Sequence, residues 1–329
     1  MRYRMLGDRQ VSALCLGTLP FGTTVDEATS FALLDRFVER GGTFLDTANC
    51  YCFWVDGSRG DDSEALLGRW LAERGAHDEI AVATKLGALP DPARGAEWPA
   101  NRQGLGAEVV ARAARESRER LGVERIDLLY GHVDDPATPV EETVAAFGAL
   151  VKEGIAAQVG ISNQSTPRVV RSRQVAAETG SAPYAAVQQR HTYLMPAPDA
   201  DFDYQVHADQ ELLDYASSRP ELTVLAYGPL VNGAYTDPDK ELQAQYRHAG
   251  TERQLDALRA VAEEAGATAN QVALAWLMGG SPSVLPVIGV SGLAQLDEAL
   301  DAVELNLTTE QRERLDQARR WNEISDTVV

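Results

Sequence analysis

Four side chains in this sequence, Asp46, Tyr51, Lys85 and His132, have the types needed to hand a proton to a reacting oxygen, and three of them close short apolar runs. In Gly41-Gly42-Thr43-Phe44-Leu45-Asp46-Thr47-Ala48-Asn49-Cys50-Tyr51 an apolar segment ends in a carboxylate, and a phenol follows five residues later. Lys85 closes Ile80-Ala81-Val82-Ala83-Thr84-Lys85 and is one of only three lysines, with Lys152 and Lys240, in a chain whose other basic side chains are arginines. A buried lysine beside a carboxylate keeps its charge and can lower the pKa of a neighbouring phenol, a tuning role for which arginine is poorly suited. His132 follows Ile126–Gly131 and can hydrogen-bond a reacting oxygen. As a set, Asp46 holds Lys85, Lys85 tunes Tyr51, Tyr51 is the acid and His132 orients the acceptor. Taken singly, Asp46 equally suits a helix cap and Tyr51 a rim aromatic; the recurrence of polar residues at apolar strand ends separates the two readings.

The elements that must position these residues alternate along the chain. Tyr3–Leu6 and Gln10–Ser12 flank Gly7-Asp8 as a β-hairpin. Strand candidates then run over Leu14–Gly17, Thr43–Asp46, Ile80–Thr84, Ile126–Tyr130, Ala157–Ile161, Ala185–Gln188, Thr223–Ala226 and Val284–Ile288. Helical spacing follows each of them, over Asp26–Arg40, Ser63–Glu73, Ala107–Leu121, Val140–Lys152, Thr166–Ala177, Ala208–Ser217, Glu252–Ala265 and Leu293–Ala302. Strands this short and apolar are buried on both faces, and their alternation with helices implies parallel pairing through right-handed crossovers. The fold class expected is α/β, an eight-fold (β/α)8 TIM barrel with an N-terminal β-hairpin and extra helices at Asn270–Met278 and Thr309–Arg320, forming one domain over residues 1–329. A doubly wound sheet would carry a glycine-rich dinucleotide turn after its first strand, and Gly17-Thr18-Leu19-Pro20-Phe21-Gly22 lacks that spacing. In a barrel the long segments Leu86–Leu105, Arg190–Gln205 and Leu230–Gly250 all fall on the catalytic face.

Composition narrows the partners. With 30 basic against 49 acidic residues the chain carries −19, so neither nucleic acid nor an anionic membrane is an expected partner. No basic-plus-apolar leader stands in Met1–Gln10 and the most apolar helical segment, Val272–Met278, is too short to span a bilayer, which points to the cytoplasm. Cys15, Cys50 and Cys52 are an odd number of thiols, and Cys50 and Cys52 have no second Cys/His cluster to complete a zinc site, so no metal is expected.

The same residues resemble the aldo-keto reductase superfamily over nearly the whole chain. Leu45-Asp46-Thr47-Ala48-x-x-Tyr51, the lysine of Ala83-Thr84-Lys85 and the histidine of Asp127-Leu128-Leu129-x-x-His132 match its catalytic positions. Gly160-Ile161-Ser162-Asn163 and Gln188 are similar to the residues that grip a nicotinamide carboxamide in that family. Tyr227-Gly228-Pro229-Leu230 resembles its Tyr-Ser-Pro-Leu segment, whose tyrosine stacks on the nicotinamide, with Gly228 in place of serine. Val287-Ile288-Gly289-Val290-Ser291-Gly292, followed by Gln295 and Glu298, resembles its adenosine-phosphate loop and helix. The resemblance implies NADP(H)-dependent reduction of an aldehyde, ketone or keto-sugar with Tyr51 as proton donor, and a cofactor contacted by Gly17, Thr18, Asp46, Ser162, Asn163, Gln188, Tyr227, Gly228, Pro229, Leu230, Gly233, Ile288, Gly289, Val290, Ser291, Gln295 and Glu298.

Two departures bear on that reading. No Lys, Arg or His occurs between Met278 and Arg312, where family members that prefer NADPH place a cation for the 2′-phosphate, and Gly292 and Ala299 replace the usual amide or basic side chains. NAD(H) is therefore the alternative cofactor. For the substrate, Phe21, Phe53, Trp54 and Trp98, with Leu19 and Trp321, are candidate pocket walls beside Tyr51 and His132. The acidic loop residues Asp56, Asp61, Asp62, Asp134 and Asp135 favour a neutral small-molecule carbonyl over a strongly anionic one. The competing function from another class is a cofactor-bound regulatory protein like the potassium-channel β-subunits that share the fold; a barrel hydrolase or lyase is a third.

Overall fold

In the computed structural model, which describes residues 1–320, the chain opens with an antiparallel hairpin, β1 (Tyr3–Leu6) and β2 (Arg9–Ser12), turning on Gly7. Trp321, offered by the sequence as a pocket aromatic, and the rest of the tail 321–329 lie outside the described residues. Eight parallel strands follow: β3 (Cys15–Gly17), β4 (Phe44–Asp46), β5 (Ala81–Leu86), β6 (Ile126–Gly131), β7 (Ala156–Ser162), β8 (Ala186–Arg190), β9 (Thr223–Tyr227) and β10 (Leu285–Gly289). They close in chain order, with β10 paired to β3. The helices are α1 (Glu27–Glu39), α2 (Asp62–Arg74), α3 (Ala107–Leu121), α4 (Val140–Lys152), α5 (Thr166–Thr179), α6 (Gln210–Ser217), α7 (Thr251–Ala265), α8 (Ala269–Met278), α9 (Leu293–Asp301) and α10 (Thr309–Ala318).

Side chains alternate across each strand, so one parity faces the barrel interior. Cys15, Phe44, Ala81, Ala83, Leu128, Tyr130, Ala186, Leu225, Leu285 and Val287 form a single apolar cluster there, capped by Leu6 and Val11 of the hairpin. The outward parity, including Leu16, Leu45, Val82, Leu129, Ile161 and Val187, packs under the helices. Space inside is tight: a Cβ on Gly160 would stand 2.7 Å from the Tyr130 ring.

One assignment is reversed. Asn270–Met278 was expected as an extra helix and Glu252–Ala265 as the barrel helix before the last strand. Instead α8 lies against β10 and α9, while α7 lies outside against α8 and α10. Nine of the ten residues of α8 are buried, because it has the barrel on one side and helices on the other. Its start is held by a capping box in which Thr268 Oγ1 accepts from Gln271 N and Gln271 Oε1 accepts from Thr268 N.

Candidate active site

Extending the inward parity by one residue past the apolar layer gives Gly17, Asp46, Lys85, His132, Ser162, Gln188, Tyr227 and Gly289, all at the C-terminal mouth of the barrel. All except Lys85 line one cavity of about 560 Å³, and Lys85 lies fully buried behind its wall. The barrel brings the four sequence-selected groups together.

Asp46 and Lys85 sit on adjacent strands, each 1% exposed, and form a buried ion pair through Lys85 Nζ and Asp46 Oδ1. Lys85 Nζ also donates to Tyr51 OH at 2.7 Å and to the Thr47 carbonyl at 2.9 Å. The Tyr51 hydroxyl lies 3.3 Å from Asp46 Oδ1, and Gln188 Nε2 donates to Asp46 Oδ2 at 2.8 Å. Both oxygens of the carboxylate are thus partnered, as a buried charge requires. The loop that carries Tyr51 is pinned to β5, with Thr47 N and Asn49 N donating to the Ala83 and Lys85 carbonyls.

The net effect on Tyr51 differs from the sequence reading, in which Lys85 lowers its pKa. Burial, then the Asp46 carboxylate, push the phenol well above its ordinary value. Lys85 Nζ still donates to the phenol, but the Asp46 carboxylate lies beside the same ammonium and offsets its charge, so desolvation dominates. His132 moves the other way: burial first, then the Lys85 charge, hold its pKa well below the ordinary value, so it is a neutral imidazole. Its ring meets Tyr51 edge-on at 5.9 Å, and its Nδ1 lies 3.3 Å from Cys50 Sγ. Burial pushes the Cys50 thiol up to about 12. A protonated thiol donating to Nδ1 leaves the imidazole proton on Nε2, the tautomer that suits a donor to a bound oxygen.

The cavity continues as a groove between the segment Tyr227–Gly233 and the segment Val287–Glu298. Asn163 has a left-handed backbone (φ +54°), a conformation Asn tolerates. Its Nδ2 donates to the His132 carbonyl at 3.0 Å and to Ser162 Oγ at 3.1 Å, and its Oδ1 accepts from Tyr227 OH at 2.6 Å and Val206 N at 3.1 Å. Gly228 also has a positive φ, +64°, which accounts for glycine at a position where serine would be strained. At the far end, Gly289 faces open space where a side chain would intrude, and the buried Asn270 Oδ1 has no partner among the described residues. Among the described residues no group of three or more His, Cys, Asp and Glu side chains is arranged for a metal. Nor is any helix long and apolar enough to cross a membrane.

Phe53, Trp54 and Trp98 line the mouth with Tyr204, in a chain of ring contacts from Phe53 to Trp98 (5.7 Å) and from Trp98 to Tyr204 (4.5 Å). Two expected site residues do not. Phe21 is fully buried among Leu33, Leu34 and Leu66 under the helices, because the bend after β3 turns its ring away from the cavity. Thr18 is equally buried: its Oγ1 engages the Asp46 carbonyl (3.1 Å) and Ser63 Oγ (2.8 Å), so it steadies the end of β4 from behind. The acidic loop residues Asp134 and Asp135 are also drawn away, Asp134 into an ion pair with Arg168 and Asp135 onto Leu105 N and Thr138. Sequence reading weighed Cys50 only as a metal or redox thiol, and missed Tyr204 and above all Arg190, which follows Gln188 by two residues on the inward parity of β8.

Comparison with known proteins agrees with this geometry. The family described as Aldo/keto reductase family matches residues 13–320. A norsolorinic acid reductase of Emericella nidulans is 32% identical over 92% of this chain and 76% of that protein. A Bacillus subtilis protein described as an uncharacterized oxidoreductase is 30% identical over 94% of this chain and 93% of its own length. Among solved structures, a thermostable aldo-keto reductase in complex with the inhibitor epalrestat superposes with a TM-score of 0.73 at 23% identity, covering 97% of this chain and all of that one.

Proposed function

The chain belongs to the aldo/keto reductase family and is an oxidoreductase, and we propose that it reduces the carbonyl of a small aldehyde, ketone or keto-sugar with Tyr51 as proton donor. The observation that carries this reading is the buried Asp46–Lys85 pair with the Tyr51 hydroxyl 2.7 Å from Lys85 Nζ at the floor of the cavity. A nicotinamide cofactor would be held by Ser162, Gln188 and Tyr227 at one end and by Gly289, Ser291, Gln295 and Glu298 at the other; bound there, it supplies the hydride. Open space at Gly289 and the unpartnered Asn270 Oδ1 fit such a guest. Because Asn163 is fully engaged within the protein, its part is to hold Tyr227 and the His132 backbone in place.

The protein's own work is on the oxygen. As negative charge grows there, Tyr51 OH transfers its proton and His132 Nε2–H donates a hydrogen bond. Lys85 then stabilises the phenolate, and Asp46 and Gln188 fix the lysine. The aromatic rim here favours aryl carbonyls within this class.

Two expected results test the reading. Because a raised Tyr51 pKa keeps the acid protonated and a lowered His132 pKa keeps it neutral, kcat for reduction should be flat from about pH 6 to about pH 9, rather than showing a step near the ordinary histidine value of about 6.5. The rate should fall only as Tyr51 ionises, above the usual tyrosine range. A pH–rate profile with an acid limb near neutrality contradicts this assignment. Second, the loop Gly289–Gly292 and helix α9 offer no basic side chain. NADPH and NADH should therefore bind within about 1–2 kcal/mol of each other, less than a charged hydrogen-bonded partner would discriminate. Titration of both at equal ionic strength decides it, and a hundredfold preference for NADPH overturns the expectation.

A further inference from the structure

Arg190 is 8% exposed and lines the cavity, yet among the described residues no carboxylate pairs with it. Its guanidinium is held only by neutral oxygens: Nε donates to Tyr246 OH at 3.0 Å, one terminal nitrogen to Gln205 Oε1 at 2.8 Å and the other to Gln243 Oε1. Phe202 and Tyr246 rings flank it, at 5.0 and 5.7 Å. A buried cation without a counter-charge is costly, and five N–H groups with three acceptors leave two to donate. By contrast, other buried charges near the site are paired: Asp46 with Lys85, and Glu64 with Arg120.

Its position supplies direction. Gln188 and Arg190 share the inward face of β8, so Arg190 stands one layer nearer the mouth than the Gln188–Asp46 contact, about 6–7 Å along the strand. Beside it are Tyr227, through the β8–β9 register, and Tyr204 and Gln205 of the loop that forms the aromatic rim. The chain's charge of −19 would repel an anion, and the acidic residues Asp134 and Asp135 have been taken out of its path by Arg168, Leu105 N and Thr138.

We propose that Arg190 is the receptor for an oxyanion on the substrate, so that the preferred substrates are aryl carbonyl compounds bearing a carboxylate or an acidic phenol about one ring away from the reacting carbonyl. This departs from the expectation of a neutral substrate and rests on the carbonyl-reductase reading above. A carboxylate would take the two remaining N–H groups of the guanidinium, while Gln205, Gln243 and Tyr246 keep the side chain pointed into the cavity.

The test compares 4-carboxybenzaldehyde with its neutral counterpart 4-formylbenzamide in wild type, Arg190→Gln and Arg190→Lys. Wild type should prefer the carboxylate in kcat/KM. R190Q should lose about 10–100-fold on the carboxylate through KM, as expected for a charge-assisted hydrogen bond, with the amide changed by less than about threefold. R190K should recover part of the loss. Equal losses on both aldehydes show a loop tie rather than a receptor and overturn the proposal, as does a loss that appears as weakened NADPH binding. Calorimetry of benzoate against benzamide on the wild type and R190K provides an arm that needs no turnover. Selective benzoate binding weakened in R190K supports the receptor even if neither aldehyde is reduced, which would instead sink the reductase reading. Equal or absent binding of benzoate and benzamide overturns the receptor, including where R190Q does not fold.

Discussion

Replacing Tyr51 with phenylalanine is expected to lower kcat for carbonyl reduction by about 10²–10⁴-fold, the usual worth of a positioned general acid. The change removes only the hydroxyl. Lys85 Nζ keeps its contacts to Asp46 and to the Thr47 carbonyl, and Asp46 keeps Gln188, so no buried charge loses its last partner. The ring retains its edge contact with His132. Cofactor affinity, read by fluorescence titration, should therefore change by no more than about twofold, because the lost interaction is one made chiefly in the transition state. Near-normal turnover in Y51F would mean that another group supplies the proton, with His132 the next to examine.

Substituting Lys85 by methionine should act on both activity and stability. Asp46 would remain 1% exposed with Gln188 and Tyr51 as partners but no cation. Breaking one side of a buried pair costs about 3–5 kcal/mol, because the remaining charge is uncompensated. The companion double variant, Asp46→Asn with Lys85→Met, removes both charges and should regain most of that stability while staying inactive, since the phenolate that forms on Tyr51 has no cation beside it. Denaturant midpoints across this double-mutant cycle measure the coupling. A K85M protein as stable as wild type would show that the pair is not buried as described.

Much of the barrel was visible in the chain because its signals are local. Eight short apolar segments, each followed by helical spacing, imply a closed parallel sheet, and a lysine kept in an arginine-rich chain marks Lys85. What escaped depended on tertiary surroundings. Gln188 was taken as the end of its strand, so Arg190, two residues further on the same face, went unnoticed; the strand in fact runs to Arg190. Phe21 and Thr18 lie close to Gly17 in sequence, but the direction of the bend after β3 decides that one joins the outer core and the other braces Asp46. The apolar composition of α8 is the same whether it wraps the barrel or decorates it, and only its packing against β10 distinguishes these. The direction of the Tyr51 shift was likewise out of reach, because it depends on how deeply the phenol is buried and on the Asp46 carboxylate lying beside it.

Carbonyl reduction itself is most directly tested by incubating the purified protein with NADPH, and in parallel NADH, against a panel of aromatic aldehydes and ketones, measuring alcohol formed against cofactor consumed. The arrangement of Asp46, Tyr51, Lys85 and His132 predicts one alcohol per cofactor oxidised, with turnover abolished in Y51F. Tight cofactor binding with no alcohol formed from any carbonyl would contradict it and identify the site as one that senses the cofactor rather than using it.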